Sequence, residues 1–387
     1  MKTALFAYGF RPHFLAAGLA AALLVPAWIA AVTGAIELAP RWPGVLWHAH
    51  ELLFGFVAAA IGGFLLTAVP SWTGQRGHGG APLVAVASLW VLGRAAPFAP
   101  EAVPYALVAA ADLAFLPAIA LLVAPPLLRT KNRNRVLLLV LAALTACNAG
   151  FHWGAAQGDA ALALRWLHAT IGLAILLTAV IGGRIVPSFT SSGLRAHGVV
   201  LPPALPWLER LALGATLATV PVDFAWPGSR AAGAVALVAG LAHLLRFARW
   251  QPHRTGRVPL VWVLHLGYAW IPLGLLLKAT FLLTGAGFAA FWVHALTAGA
   301  LATMILAVMT RASLGHTGRP LVASRPVELA YALLAGAVLL RVFGAALGVE
   351  YASALVGAAL LWCAAFGIFL AVYAPILLRP RVDGRPG

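Results

Sequence analysis

The 387-residue chain is 62% hydrophobic and only 9% charged. A soluble domain carries roughly 25% charged residues, so the composition excludes a soluble globular enzyme and points to an integral membrane protein. The net charge of +16 does not signal nucleic acid, because the Lys and Arg residues sit in short gaps between apolar runs, where they control topology.

A helix needs about 20 apolar residues to cross the hydrocarbon core. In chain order the apolar runs predict spans at 13–36, 46–70, 81–99, 102–126, 135–157, 160–187, 205–225, 229–250, 258–284, 288–311, 326–348 and 351–378. No long polar stretch separates them, so residues 1–387 read as a single integral-membrane domain. Lys2 and Arg11 precede the first run, which reads as an uncleaved first span. Arg94 and Pro97 interrupt the third, and Pro70 and Pro187 are expected to mark helix exits. The connections alternate in charge. Arg76, the group Arg129, Lys131, Arg133 and Arg135, then Arg195, the group Arg246, Arg249, Arg254 and Arg257, and Arg319 and Arg325 fall on the side of both termini. The opposite connections hold Glu37, Glu101, Asp159, Asp223 and Glu350, with Arg41 and Arg230 as exceptions. The positive-inside rule therefore predicts cytoplasmic N- and C-termini. Cys147 and Cys363 lie inside apolar runs, which argues against a disulfide framework, and no CxxCH is present for covalent haem attachment.

The chain also repeats itself. "APPLLR", "LAHLLR" and "APILLR" end at Arg129, Arg246 and Arg379. "TAVPSWTGQRGHGG", "IVPSFTSSGLRAHG" and "AVMTRASLGHTG" carry His78, His197 and His316 at equal intervals. Each is preceded by a run with a histidine near its start: His50, His168 and His294. The expected architecture is an all-α polytopic membrane protein of about 12 transmembrane helices, arranged as three pseudo-repeats of four over 1–130, 131–253 and 254–387.

In that topology spans 2, 6 and 10 run in the same direction, which places His48, His50, His168 and His294 at a shared depth in the outer half of the membrane. His152 on span 5 approaches that depth, and His265 lies within span 9. One intramembrane histidine is commonly hydrogen-bonding glue; six related ones suggest metal ligation, since a neutral imidazole suits haem iron and copper. The candidate ligands are His48, His50, His152, His168, His265 and His294. His48 and His50 point about 200° apart, so they do not chelate one ion together. Glu51 is placed to orient a ligating imidazole through its second nitrogen. Arg184 and Lys278, with Arg94 and Arg341, are candidates to pair with haem propionates, or they simply snorkel. Glu51, Asp112 and His316 are candidates for a proton path or a supporting shell, the acids alternatively pairing with one of the arginines. His13, His78, His197 and His253 read as loop or cap residues, and the Trp residues as interfacial belts.

Four stretches then carry a resemblance: "YGFRPHFLAAGL" (8–19), "WHAHELLFGFVAAAIGGFLLTAVPSWTG" (47–74), "LHLGYAWIPLGLLL" (264–277) and "HALTAGALATMILAVMTRASLGHTGRPL" (294–321). The chain resembles the NnrS family, bacterial inner-membrane proteins linked to nitric oxide and nitrosative stress, often found alongside denitrification. The resemblance implies twelve helices and a content of haem b, one or two, and copper. His48, His50, His265, His294 and His316 lie within the matching stretches; His152 and His168 rest on depth and repeat logic alone. The arrangement is also similar to the haem–copper oxidase core, with histidines on helices 2, 6 and 10. It departs from it in having no His-His pair within 205–225 and its HxH on helix 2. The expected function is the binding or reduction of nitric oxide at a histidine-ligated b-type haem, an oxidoreductase activity if it turns over. The implied partners are nitric oxide, the lipid bilayer and an external electron donor or quinol. Two alternatives stay open: a membrane transporter, and a haem or copper delivery factor without redox turnover.

Overall fold

A computed structural model of the chain describes residues 4–38, 40–195 and 198–385. The expectation placed on His197 falls outside them. The described elements are all helical, as lipid demands of a chain that must satisfy its backbone polar groups within each segment. In chain order they are α1 (Phe10–Val32), α2 (Gly44–Thr73), α3 (Ala81–Phe98), α4 (Tyr105–Arg129), α5 (Arg133–Ala156) and α6 (Ala160–Gly193), then α7 (Pro206–Ala225). These are followed by α8 (Arg230–Ala248), α9 (Pro259–Thr284), α10 (Gly287–His316), α11 (Arg325–Phe343) and α12 (Tyr351–Leu378). Eleven of them are long and apolar enough to cross a membrane. The exception is α7, which carries Glu209, Arg210 and Asp223; Glu209 pairs with Arg246 and Asp223 with Lys278. The chain is a multi-pass membrane protein.

Local signals set many of the ends. Prolines open α7, α9 and α11, where the missing N–H costs no hydrogen bond. The Ser229 side chain accepts from the Ala232 N–H at the start of α8. Glycines in the left-handed region follow α2 at Gly74 and α9 at Gly285. The exits expected at Pro70 and Pro187 come later, at Thr73 and Gly193. A proline removes one hydrogen bond from a helix, and packing within a bundle supports the turn that lacks it.

The chain sorts into two compact units. The first comprises the described residues within 1–170, 312–320 and 366–387. In it α2 is the buried centre, packed along α1 and α4, with α5 and α3 against α4. Arg11, expected as an inward-side charge flanking the first span, is fully buried within α1. Its Nη1 donates to the carbonyls of Leu377 and Arg379 at 2.8 and 2.7 Å. A cation there satisfies carbonyls that the end of α12 leaves open and opposes the negative end of its dipole. Arg11→Ala is expected to cost about 1–3 kcal/mol, read as a lower apparent melting temperature in detergent with helix content retained.

The second unit comprises 171–311 and 321–365. Its centre is α9, packed against α8 and α10, with α7 against α8. Two helices contain π-helical segments, Glu51–Val57 in α2 and Ala295–Ala302 in α10. Each begins directly after a histidine that heads its helix in the repeat, His50 or His294, whereas α6 with His168 is α-helical from Ala160 to Gly193. Such segments re-aim side chains and carbonyls. In α2 the Gly55 carbonyl accepts from Trp90 Nε1 at 2.9 Å. The missing Cβ of Gly55 also lets the Arg94 side chain pass, since a Cβ there would stand 3.2 Å from Arg94 Cδ.

Candidate metal centre

The first unit holds a closed polar cluster built from four helices. Adjacent residues His50 and Glu51 enter from α2, at the start of its π segment. Arg94 enters from α3, Asp112 from α4, and Asn148 and His152 from α5. Asn148 and His152 are four residues apart, so one face of α5 presents both. Glu51, Asp112, Asn148, His50 and His152 are each at most 3% exposed.

The hydrogen bonds assign the protons. Trp42 Nε1 donates to the Tyr105 hydroxyl at 2.9 Å, so the hydroxyl proton is free to go to His152 Nδ1, 3.1 Å away. His152 Nε2–H then donates to Asp112 Oδ2 at 3.0 Å. Asn148 donates its amide to the same Oδ2 at 2.7 Å, which turns the amide oxygen towards His50. His50 therefore meets acceptors on both sides. Its Nδ1 faces Glu51 Oε1 at 3.1 Å; its Nε2 faces Asn148 Oδ1 at 3.0 Å and Asp112 Oδ2 at 3.1 Å. An imidazole with oxygens at both nitrogens is satisfied as an imidazolium, or with a cation between Nε2 and those oxygens.

The charges agree. Arg94 donates to Glu51 Oε1 at 2.6 Å and pairs with Asp112 Oδ1. Two carboxylates and one guanidinium leave one negative charge in a buried space, and a buried charge requires a counter-charge. Nitrogen and oxygen atoms of His50, Asp112 and His152 all lie within 4.8 Å of one another, which suits a single metal ion. Each imidazole meets an oxygen at Nδ1, from Glu51 or Tyr105, and turns Nε2 to the shared point. With a metal there, His152 would take the other tautomer, its Nδ1–H donating to the Tyr105 oxygen and its Nε2 bare, as supporting groups orient metal-ligating histidines.

The match to known families is decided by length. A family model for the NnrS protein covers residues 4–381, almost the entire chain. The chain belongs to the NnrS family. No curated protein matches the sequence.

Of the site residues expected in this NnrS chain, His50, His152, Glu51, Asp112 and Arg94 come together in the cluster. The others sit elsewhere. His48 stacks on Trp28 at 5.1 Å on the other flank of α2, as its offset from His50 requires. His168 bonds the carbonyl of Leu164, one turn back on its own helix. His316 packs against Tyr8 and Phe10 in the first unit and not against the cluster. His265, in the second unit, bonds Thr190 Oγ1 at 2.8 Å, and His294 packs on Phe291. Lys278 is held by Asp223 and lies over the Trp292 ring; Arg341 lies over Phe291 at 4.5 Å; Arg184 is exposed on α6. Sequence reasoning missed Asn148, Tyr105 and Trp42. The four-residue spacing of Asn148 and His152 was a usable signal. Nothing in the sequence marks Trp42 or Tyr105 apart from other aromatics.

Proposed function

We propose that this NnrS family member is a metal-containing membrane protein that handles nitric oxide, with His50, Asp112 and His152 as the protein ligands of a transition-metal ion. The observation that carries this reading is His50, whose two nitrogens both face oxygens inside a cluster short of one positive charge. Two imidazoles and one carboxylate suit copper or non-haem iron. Such an ion, when bound, supplies a redox-active centre to which nitric oxide can coordinate. The chain's own groups do the rest. Glu51 and Tyr105 hold the rings in register, Arg94 pairs with Asp112, and Asn148 donates to the carboxylate. Trp42, Phe54 and Phe151 cover the His50 ring at 4.6, 4.9 and 4.5 Å and exclude water.

The same covering rings leave no slot for a macrocycle, so the haem that the family resemblance implies does not fit this cluster. Buried ring nitrogens without a hydrogen-bond partner do occur at His13 Nε2 in the first unit and His265 Nδ1 in the second. These are the positions at which a haem iron is to be sought by spectroscopy.

The test is metal content and spectroscopy of purified protein. Wild type is expected to hold one tightly bound copper or iron ion at the cluster and to change its paramagnetic resonance or visible spectrum when nitric oxide is added. Asp112→Asn and His152→Ala should each lower metal affinity by about tenfold or more, with helix content unchanged. Equal metal content in wild type and both variants overturns the assignment. A metal that dialyses away readily from wild type places the chain with delivery factors instead.

A further inference from the structure

In the first unit, arginines gather around one carboxylate where α10 and α12 end. α10 stops at His316, and the chain turns through Gly318 at φ +74° to Arg319. α12 stops at Leu378, followed by Arg379 and Arg381. Arg381 makes a two-point contact with Asp383, at 2.9 and 2.5 Å, and donates to the His316 carbonyl at 2.7 Å. That contact holds the Asp383 carboxyl well below the usual carboxylate range. Arg11 is occupied by the carbonyls closing α12.

Arg319 is different. Its Nη1 is buried with no hydrogen-bond partner, and no carboxylate pairs with it among the described residues. Burial, followed by repulsion from Arg379, pushes its guanidinium below the ordinary arginine range. Arg319 and Arg381 also repel Arg11. With Asp383 committed to Arg381, no further carboxylate among the described residues pairs with the group, which is left with excess positive charge. Leu378 and Val382 lie exposed beside it, at 38% and 61%.

We propose that Arg319 and Arg379 bind the phosphodiester head of an anionic phospholipid, with Arg381 adding to the field. The place favours lipid over a free anion. Both arginines stand just beyond the ends of helices long and apolar enough to cross a membrane, where lipid headgroups would lie, and the exposed Leu378 and Val382 offer apolar surface to a glycerol backbone and the first acyl carbons. Arginine pairs with phosphate oxygens through its planar fork, and an unbonded Nη1 is the donor such a pairing requires.

The experiment uses the full chain, stripped of lipid in detergent. Native mass spectrometry then follows the retention of added phosphatidylglycerol, phosphatidylcholine or inorganic phosphate. Wild type is expected to retain one phosphatidylglycerol in preference to phosphatidylcholine. The double variant Arg319→Gln/Arg379→Gln should weaken that retention about tenfold or more. A control with the same charge loss elsewhere, Arg133→Gln/Arg135→Gln, should not. Circular dichroism checks that both variants keep wild-type helix content, and Arg319→Lys/Arg379→Lys should recover part of the affinity. Equal retention in the double variant and the control overturns the proposal, as does displacement of the lipid by inorganic phosphate at equal concentration.

Discussion

Arg94→Met is expected to destabilise the protein by about 3–5 kcal/mol, the cost of leaving buried charge without its partner. The guanidinium touches both Glu51 and Asp112, and both carboxylates are essentially buried. Methionine fills similar volume but leaves two negative charges facing each other across His50. The size of the loss therefore measures the electrostatics and not a cavity. The check is the apparent melting temperature in detergent, with a neutralised background as control: Glu51→Gln and Asp112→Asn added to Arg94→Met should recover most of the loss. A further signature separates a metal centre from a purely structural network. The Arg94→Met pocket is two charges short instead of one, so an added divalent transition metal should raise its melting temperature by more than it raises that of wild type. A variant within about 0.5 kcal/mol of wild type, the range of an ordinary surface change, would sink the account of this cluster.

The second large effect is expected at Gly183→Ala in the second unit. A Cβ at Gly183 would stand 1.8 Å from Arg246 Nη2 and 2.5 Å from its Cζ. A flexible side chain would step aside, but this one is pinned. Arg246 donates to Glu209 at 2.8 and 2.5 Å, to the Ala179 carbonyl at 2.9 Å and to the Tyr268 hydroxyl at 2.7 Å. The Tyr268 hydroxyl in turn donates to His243 Nδ1 at 2.8 Å, and His243 Nε2 to Thr216 Oγ1 at 2.8 Å. One methyl group must therefore break a buried ion pair or part α6 from α8, again at about 3–5 kcal/mol. Gly214→Ala on α7 is the control, because nothing stands within 4 Å of its added Cβ. It should stabilise by up to about 1 kcal/mol through helix propensity. Coupling identifies the cause: Gly183→Ala should cost much less in an Arg246→Gln background than in wild type. Additive losses would show that the glycine acts through something other than the guanidinium.

Much of this molecule was legible as sequence. Runs of about 20 apolar residues set where the helices lie, because a bilayer leaves the backbone no other partner, and that constraint is local. Five residues of the cluster, His50, Glu51, Arg94, Asp112 and His152, stood out for a related reason: a titratable group in an apolar run is costly and marks itself. Glu51 gripping the second nitrogen of His50 followed from the neighbouring positions of the two residues.

What the sequence did not decide is which of these groups meet. Whether His48 or His168 faces the cluster depends on how its helix is rotated about its axis, which an apolar run does not fix, and His265 and His294 sort into the second unit. The π segment after His50 widens the helical turn and shifts the register in a way periodicity does not foresee. Arg11 read as a flanking charge until packing brought the open carbonyls of α12 to it, from the far end of the chain. Composition and local cost thus determined the helices and their chemistry; the pairing of buried charge with counter-charge is settled only by tertiary neighbours, since that balance is struck across helices distant in sequence.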